Sequence, residues 1–99
     1  MKVAYTRRAR RDLEEIFDRG LKWGERVARQ VEKRIVLDCK RVGKSPILGA
    51  PTDLLDVRRL PIRRYPFTIF YRIIEDDDRI DILRVVHSAA VRDLGKIPD

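Results

Sequence analysis

The sequence predicts an α+β fold in which a two-helix hairpin packs on one face of a small antiparallel sheet. Three observations carry this. Two runs of helical periodicity meet at Trp23-Gly24, three β-rich runs with short links follow Pro51, and one short β-like run, Val3-Ala4-Tyr5, precedes the helices. One strand, two helices and a three-stranded antiparallel meander bury their apolar faces most economically as two layers. At 99 residues without repeats, the chain builds one modest core, and 1–99 reads as a single domain.

Taken in order, Val3-Ala4-Tyr5 forms the first strand and Thr6 caps the first helix, its hydroxyl placed to accept an orphan amide proton. Ala9, Leu13, Ile16, Phe17 and Leu21 recur at helical spacing and make one apolar stripe. Arg7, Arg8, Arg10 and Arg11 crowd the helix start, where the macrodipole disfavours positive charge, and read as solvated. Gly24 supplies a left-handed residue at the joint. The second helix runs from Glu25 to about Val42. Its apolar members are Val27, Ala28, Val31, Ile35, Leu37, Cys39 and Val42, and Asp38 interrupts the stripe after Ile35. So tight a joint makes the hairpin antiparallel. Pro46 cannot continue the helix, and Ile47 to Asp56, with Gly49 and Pro51, reads as a loop.

Strands follow at Val57 to Ile62, Tyr65 to Ile74 and Arg79 to His87, the last two joined by the turn Glu75-Asp76-Asp77-Asp78. Alternation puts Tyr65, Phe67, Ile69, Tyr71 and Ile73 on one face. The expected core is Leu13, Ile16, Phe17, Val31, Ile35, Phe67, Ile69, Tyr71 and Val85. Ser88 to Asp99 is polar and reads as a flexible tail with at most a short helix around Ala89 to Leu94.

Twenty-three Lys and Arg against 16 Asp and Glu give a net charge of +7, which points to an acidic partner, nucleic acid or protein. The single cysteine, Cys39, excludes an internal disulfide and fits a reducing compartment; mid-helix, it reads as a small core hydrophobe. The N-terminus leads into arginines rather than an apolar run, and no apolar run approaches the roughly 20 residues of a membrane span. The expected compartment is the cytoplasm, without a membrane partner. His87 and Cys39 have no paired metal-ligand spacing, and the five glycines are too scattered for a phosphate loop, so no metal or cofactor is expected.

Charge is concentrated in one stretch. Between Val57 and Ile74 there is no acidic residue, and Arg58, Arg59, Arg63 and Arg64 fall within seven positions. With Arg72, Arg84 and His87 they form the candidate working surface. Arginine holds phosphate by a bidentate fork but cannot serve as a base, whereas histidine exchanges a proton near neutral pH. Such a set suits metal-independent cleavage of RNA through its 2′-hydroxyl, the arginines holding the developing charge. Alternatively His87 is a strand-end residue bonded to backbone. Tyr65 offers a ring for base stacking, and Tyr71 reads as core.

Tyr5-Thr6-Arg7-Arg8-Ala9 with Asp12-Leu13, then Ala28, Ile35 and Pro46-Ile47-Leu48-Gly49, is a familiar series. Val57-Arg58-Arg59-Leu60-Pro61, Tyr65-Pro66-Phe67-Thr68-Ile69-Phe70-Tyr71-Arg72 and Ile82-Leu83-Arg84-Val85-Val86-His87-Ser88-Ala89 complete it. Over nearly the whole chain this set resembles toxins of the RelE/ParE superfamily. The resemblance implies the toxin of a type II toxin–antitoxin pair, neutralised by an antitoxin whose disordered, acidic C-terminal segment folds on contact. RelE-like members cut messenger RNA on the ribosome with basic residues of the sheet; ParE-like members poison DNA gyrase and are not nucleases. The sheet positions that RelE-like nucleases make basic fall on Arg59, Pro61 and Thr68, and their strand-end arginine near Ala89, so only Arg59 keeps the pattern. The ending Leu83 to Ala89 is more like the ParE side. The resemblance therefore implies a gyrase inhibitor rather than an enzyme, with a ribosome-dependent endoribonuclease using Arg59, Arg84 and His87 as the alternative. Target or antitoxin contacts are expected at Arg58, Arg59, Arg63, Arg64, Arg72, Arg84, His87 and Arg92. Apolar antitoxin residues are expected on Leu21 and Trp23, although Trp23 equally suits closure of the hairpin's own core.

Overall fold

The helical layer begins at a working cap. Thr6 is extended, and its Oγ1 accepts the Ala9 amide at 3.1 Å. In this computed structural model, which describes residues 1–93 with side chains through Val91, helix α1 spans Arg7–Gly20 and α2 spans Glu25–Lys44. A 3-10 turn, Leu21–Trp23, joins them through Gly24, whose φ of 106° would strain any side chain. The helices form the expected antiparallel hairpin.

Against the hairpin lies a five-stranded sheet. Its strands are β1 (Lys2–Tyr5), β2 (Ala50–Pro51), β3 (Val57–Pro61), β4 (Phe67–Ile74) and β5 (Arg79–His87), in the order β1-β5-β4-β3-β2. The α+β class holds, with two corrections to the sheet. It is mixed, because β1 pairs parallel with β5 while the other pairs are antiparallel. It also gains β2 from the expected loop, Ala50 and Pro51 facing Arg59 and Arg58. Pro51 is tolerated there because an edge strand leaves one side of the backbone unpaired. After β5, Ser88–Asp93 form 3-10 turns; Leu94, the end of the expected short helix, lies outside the described residues.

Hairpin and sheet enclose Ala9, Ile35, Cys39, Val42, Ile69, Tyr71, Ile80, Ile82 and Val85. Leu13, Ile16, Val31, Phe67 and Ile73 pack partly buried against them. One member of the expected core falls outside it. Phe17 is only half-buried and lies beneath the Arg29 guanidinium, 5.8 Å from the ring centroid, instead of joining the core. Leu37 is 47% exposed and Val27 37%. Leu37 sits about 200° around the helix from Ile35 at roughly 100° per residue, so the two cannot share a face. Burial pushes the Cys39 thiol up to about 11, chiefly by desolvation, which keeps it neutral and unreactive.

One tyrosine ties the α2–β2 connection to the sheet. Tyr71 Oη donates to Pro46 O at 2.6 Å and accepts the Gly49 amide at 2.8 Å. A Cβ on Gly49 would lie 2.8 Å from that oxygen, so only glycine fits. Desolvation raises the phenol's pKa and holds it in the donor form. No helix among the described residues is long and apolar enough to cross a membrane.

Candidate functional site

The basic stretch divides between two faces of the sheet. Cross-strand partners share a face, so Arg59, Phe70 and Arg84 form one row and Pro61, Thr68 and Val86 the next, both turned away from the core row Leu60, Ile69 and Val85. Arg59 is exposed and Arg72 half-buried on this outer face. Thr68 is buried, its hydroxyl 2.9 Å from that of Ser88. Arg58 lies on the opposite face and donates from Nη1 to Gly49 O at 2.7 Å.

Arg84 is spoken for inside the protein. Strand β1 ends opposite Ile82, which leaves the far half of β5 with an open edge. Asp12 of α1 reaches that edge: its carboxylate accepts Arg84 Nε at 2.8 Å, Arg84 Nη2 at 3.2 Å and the Val85 amide at 3.0 Å. A bulge, with Leu83 passed over between the Phe70–Arg84 and Tyr71–Ile82 pairs, swings the guanidinium into place. Asp12 is 4% exposed and Arg84 9%. Such a pair holds the fold, and deleting one partner typically costs about 3–5 kcal/mol. The expectation that Arg84 faces a target or a scissile phosphate meets this geometry badly.

His87, at the end of β5, is exposed. Its Nδ1 accepts the Ala89 amide at 3.2 Å, and Phe67 meets its ring edge-on with centroids 5.9 Å apart. An amide can only donate, so the neutral ring carries its hydrogen on Nε2. The outward nitrogen is then a donor, and a general-base role would require breaking the Ala89 bond. The side chain of Arg92 lies outside the described residues.

The hairpin tip is open. Trp23 is 78% exposed and Leu21 44%, so neither closes the hairpin's own core. An open groove of about 690 Å³ lies between α2 and the β3–β4 turn, lined by Gln30, Lys33, Arg34, Leu37, Arg63, Arg64 and Tyr65. Behind it Asp38, 2% exposed, is met by Arg41 Nη1 at 3.2 Å and by Arg34 Nη2 at 3.5 Å. Arg34 Nε is buried without a hydrogen-bond partner among the described residues, an arrangement that typically costs about 1–3 kcal/mol. Composition at Lys33, Arg34 and Leu37 gave no warning of this groove, because its other wall is thirty residues away. The break in the stripe at Asp38 was the one local signal. Among the described residues, no group of three His, Cys, Asp or Glu side chains could hold a metal ion.

The fold, a two-helix hairpin on a five-stranded mixed sheet, is shared with solved toxin structures. A sequence model described as the ParE toxin of type II toxin–antitoxin systems, parDE, matches residues 3–98. Among solved structures, a chain of the chromosomal ParDE system of P. aeruginosa is 29% identical at a TM-score of 0.78, covering 88% of this chain and 95% of that one. A chain of the RelBE2 toxin–antitoxin complex of Mycobacterium tuberculosis is 24% identical at 0.64, covering 87% and 95%. The isolated E. coli RelE toxin is 18% identical at 0.61, covering 94% and 97%. These last two likenesses concern the fold. Among curated protein sequences none matches the chain. The chain belongs to the ParE toxin family of type II toxin–antitoxin systems.

Proposed function

We propose that this toxin arrests growth by inhibiting DNA gyrase and is neutralised by a cognate antitoxin that covers the hairpin tip and its basic flank. The observation that carries the choice of target is the ParE match over residues 3–98. The outer sheet face supports it. In the rows that the RelE-like pattern makes basic, Pro61 and the buried Thr68, its hydroxyl beside that of Ser88, stand next to Arg59. Arg84 is held by Asp12, and His87 presents a donor. RNA cleavage through the 2′-hydroxyl needs a base and a free cation at one phosphate. Arg59 alone supplies half of that. The antitoxin half of the reading is supported by the toxin–antitoxin complexes among the structural relatives and by the exposed Leu21 and Trp23, large apolar side chains of the kind that anchor partners.

Induction in cells tests the reading directly. The expected result is linear DNA covalently trapped on gyrase, with messenger RNA intact. Cleaved transcripts with supercoiling unaffected would replace it with the endoribonuclease alternative.

A further inference from the structure

Acid is concentrated at one end of this basic chain. Asp53, Asp56, Glu75, Asp76, Asp77 and Asp78 are all exposed in the loop before β3 and the turn after β4. The sheet brings the two segments together, since Val57 pairs with Arg72 and the Ile73 amide donates to Asp56 O at 2.9 Å. An open hollow of about 520 Å³ lies there. Ile47, Leu54, Leu55 and Ile73 line it together with Asp53, Asp56 and Glu75. Arg58, the one cation among its described lining residues, is already bonded to Gly49 O. Leu55 is 86% exposed and Ile47 73%. Their loop is not slack. Thr52 Oγ1 accepts the Leu54 amide at 3.2 Å and donates to Val57 O at 3.0 Å, and the Val57 amide donates to Leu54 O at 3.2 Å. A loop pinned in this way holds apolar side chains in water and loses little entropy when something covers them.

The hairpin tip is the complement of this hollow. Leu21 and Trp23 stand exposed on it among Arg19, Lys22 and Arg26. Glu25 is held by Arg29 at 2.7 Å, so the tip sets three cations against Asp18. The two surfaces cannot meet within one chain. The Met1 amine donates to Gly43 O at 2.9 Å and the Lys2 amide to Asp78 O at 2.9 Å, which puts the C-terminal end of α2 at the acidic end of the sheet. The tip lies at the other end of α2, 20 residues or about 30 Å away at 1.5 Å per residue.

We propose that the hollow takes the hairpin tip of a second copy of this chain. Trp23 and Leu21 of one copy rest on Ile47, Leu54 and Leu55 of the other, and Arg19, Lys22 and Arg26 face Asp53, Asp56 and Glu75. Charge selects this occupant. An acidic hollow repels acidic peptides and nucleic acid, and the chain itself displays the basic, apolar surface that fits. Because unlike surfaces meet, the contact is heterologous. The net charge of +7 opposes approach at long range, but salt of about 0.15 M screens charge beyond roughly 8 Å, so the local pairing decides. This contact goes beyond the function proposed above and does not depend on the toxin's target.

Sedimentation of the purified toxin tests it, with the emission of Trp23, the chain's one tryptophan, as a second reading. A contact built on two anchor side chains predicts reversible association at about 10–100 μM, with Trp23 emission moving to shorter wavelength as copies associate. Trp23→Ala and Leu55→Lys alter exposed side chains and should leave cooperative melting intact. Each should weaken self-association at least about tenfold. Mixing the two variants is the sharper test, because Leu55→Lys toxin keeps its tip and Trp23→Ala toxin keeps its hollow. Together they should pair within about twofold as tightly as the unaltered toxin, and the Trp23 emission should shift again. A toxin that stays monomeric with unshifted emission throughout that range would overturn the proposal and leave the hollow to a different basic partner. So would association untouched by Leu55→Lys, which would place the contact elsewhere. A mixture no more associated than its parts would also overturn it, since tip would then meet tip or hollow meet hollow.

Discussion

Arg84 and Arg63 are the same side chain in opposite circumstances. Arg84 is 9% exposed and bonded twice to Asp12, whereas Arg63 is exposed on the rim of a groove with no carboxylate in its lining. Both come from the basic stretch and its continuation in β5, and nothing in their immediate neighbours separates them. What separates them is a carboxylate 72 residues away in sequence. Density of arginine therefore marks where a partner is met only after the internal ion pairs have been subtracted.

The largest test of that contrast removes the internal partner. Asp12→Ala leaves a buried guanidinium and the Val85 amide unsatisfied and should cost about 3–5 kcal/mol in urea denaturation, a large share of a small domain's stability. A loss below about 1 kcal/mol would mean that Arg84 swings freely to solvent and belongs with Arg63. Tyr71→Phe should come next. It strips Pro46 O and the buried Gly49 amide of their partner, for about 1–3 kcal/mol in the same measurement. At the rim the sign reverses. Arg64→Gly should raise stability by about 1 kcal/mol, because glycine carries no penalty at φ 74°, while the cognate antitoxin binds more weakly. A variant both more stable and unchanged in binding would leave the strain at Arg64 without a use. Smallest of all, Trp23→Ala should move the melting of the free toxin by no more than about 0.5 kcal/mol equivalent and yet weaken antitoxin binding by at least about 2 kcal/mol by calorimetry. Unchanged affinity with a lowered melting temperature would return Trp23 to the core.

How far the sequence could be read follows the same division between local and distant. Thr6, Gly24 and Pro46 act on their own neighbours, and the helices begin and end where those residues say. Strands β3, β4 and β5 are legible because β-branched and aromatic runs carry their own pattern. Ala50 and Pro51 carry none; they become a strand only because Tyr71 draws the preceding turn against the sheet. The helical stripe misplaces Phe17 and Leu37, since periodicity names apolar residues but not how far the sheet beneath them extends. Among the site residues, the exposure of Trp23 and the charge of Arg63 and Arg64 could be weighed from sequence. The loss of Arg84 to Asp12 and the wall formed by Lys33 and Arg34 required three dimensions.

The central claim, that the exposed arginines of the β3–β4 turn serve a partner while the sheet's buried arginine serves the fold, is tested most directly by the association rate of the cognate antitoxin. It should be measured across a range of salt for the toxin and for Arg63→Glu/Arg64→Glu. Steering by exposed charge predicts a fast, salt-sensitive rate for the unaltered toxin and a slower rate with a flattened salt dependence for the variant. An association rate indifferent to both salt and substitution would contradict it.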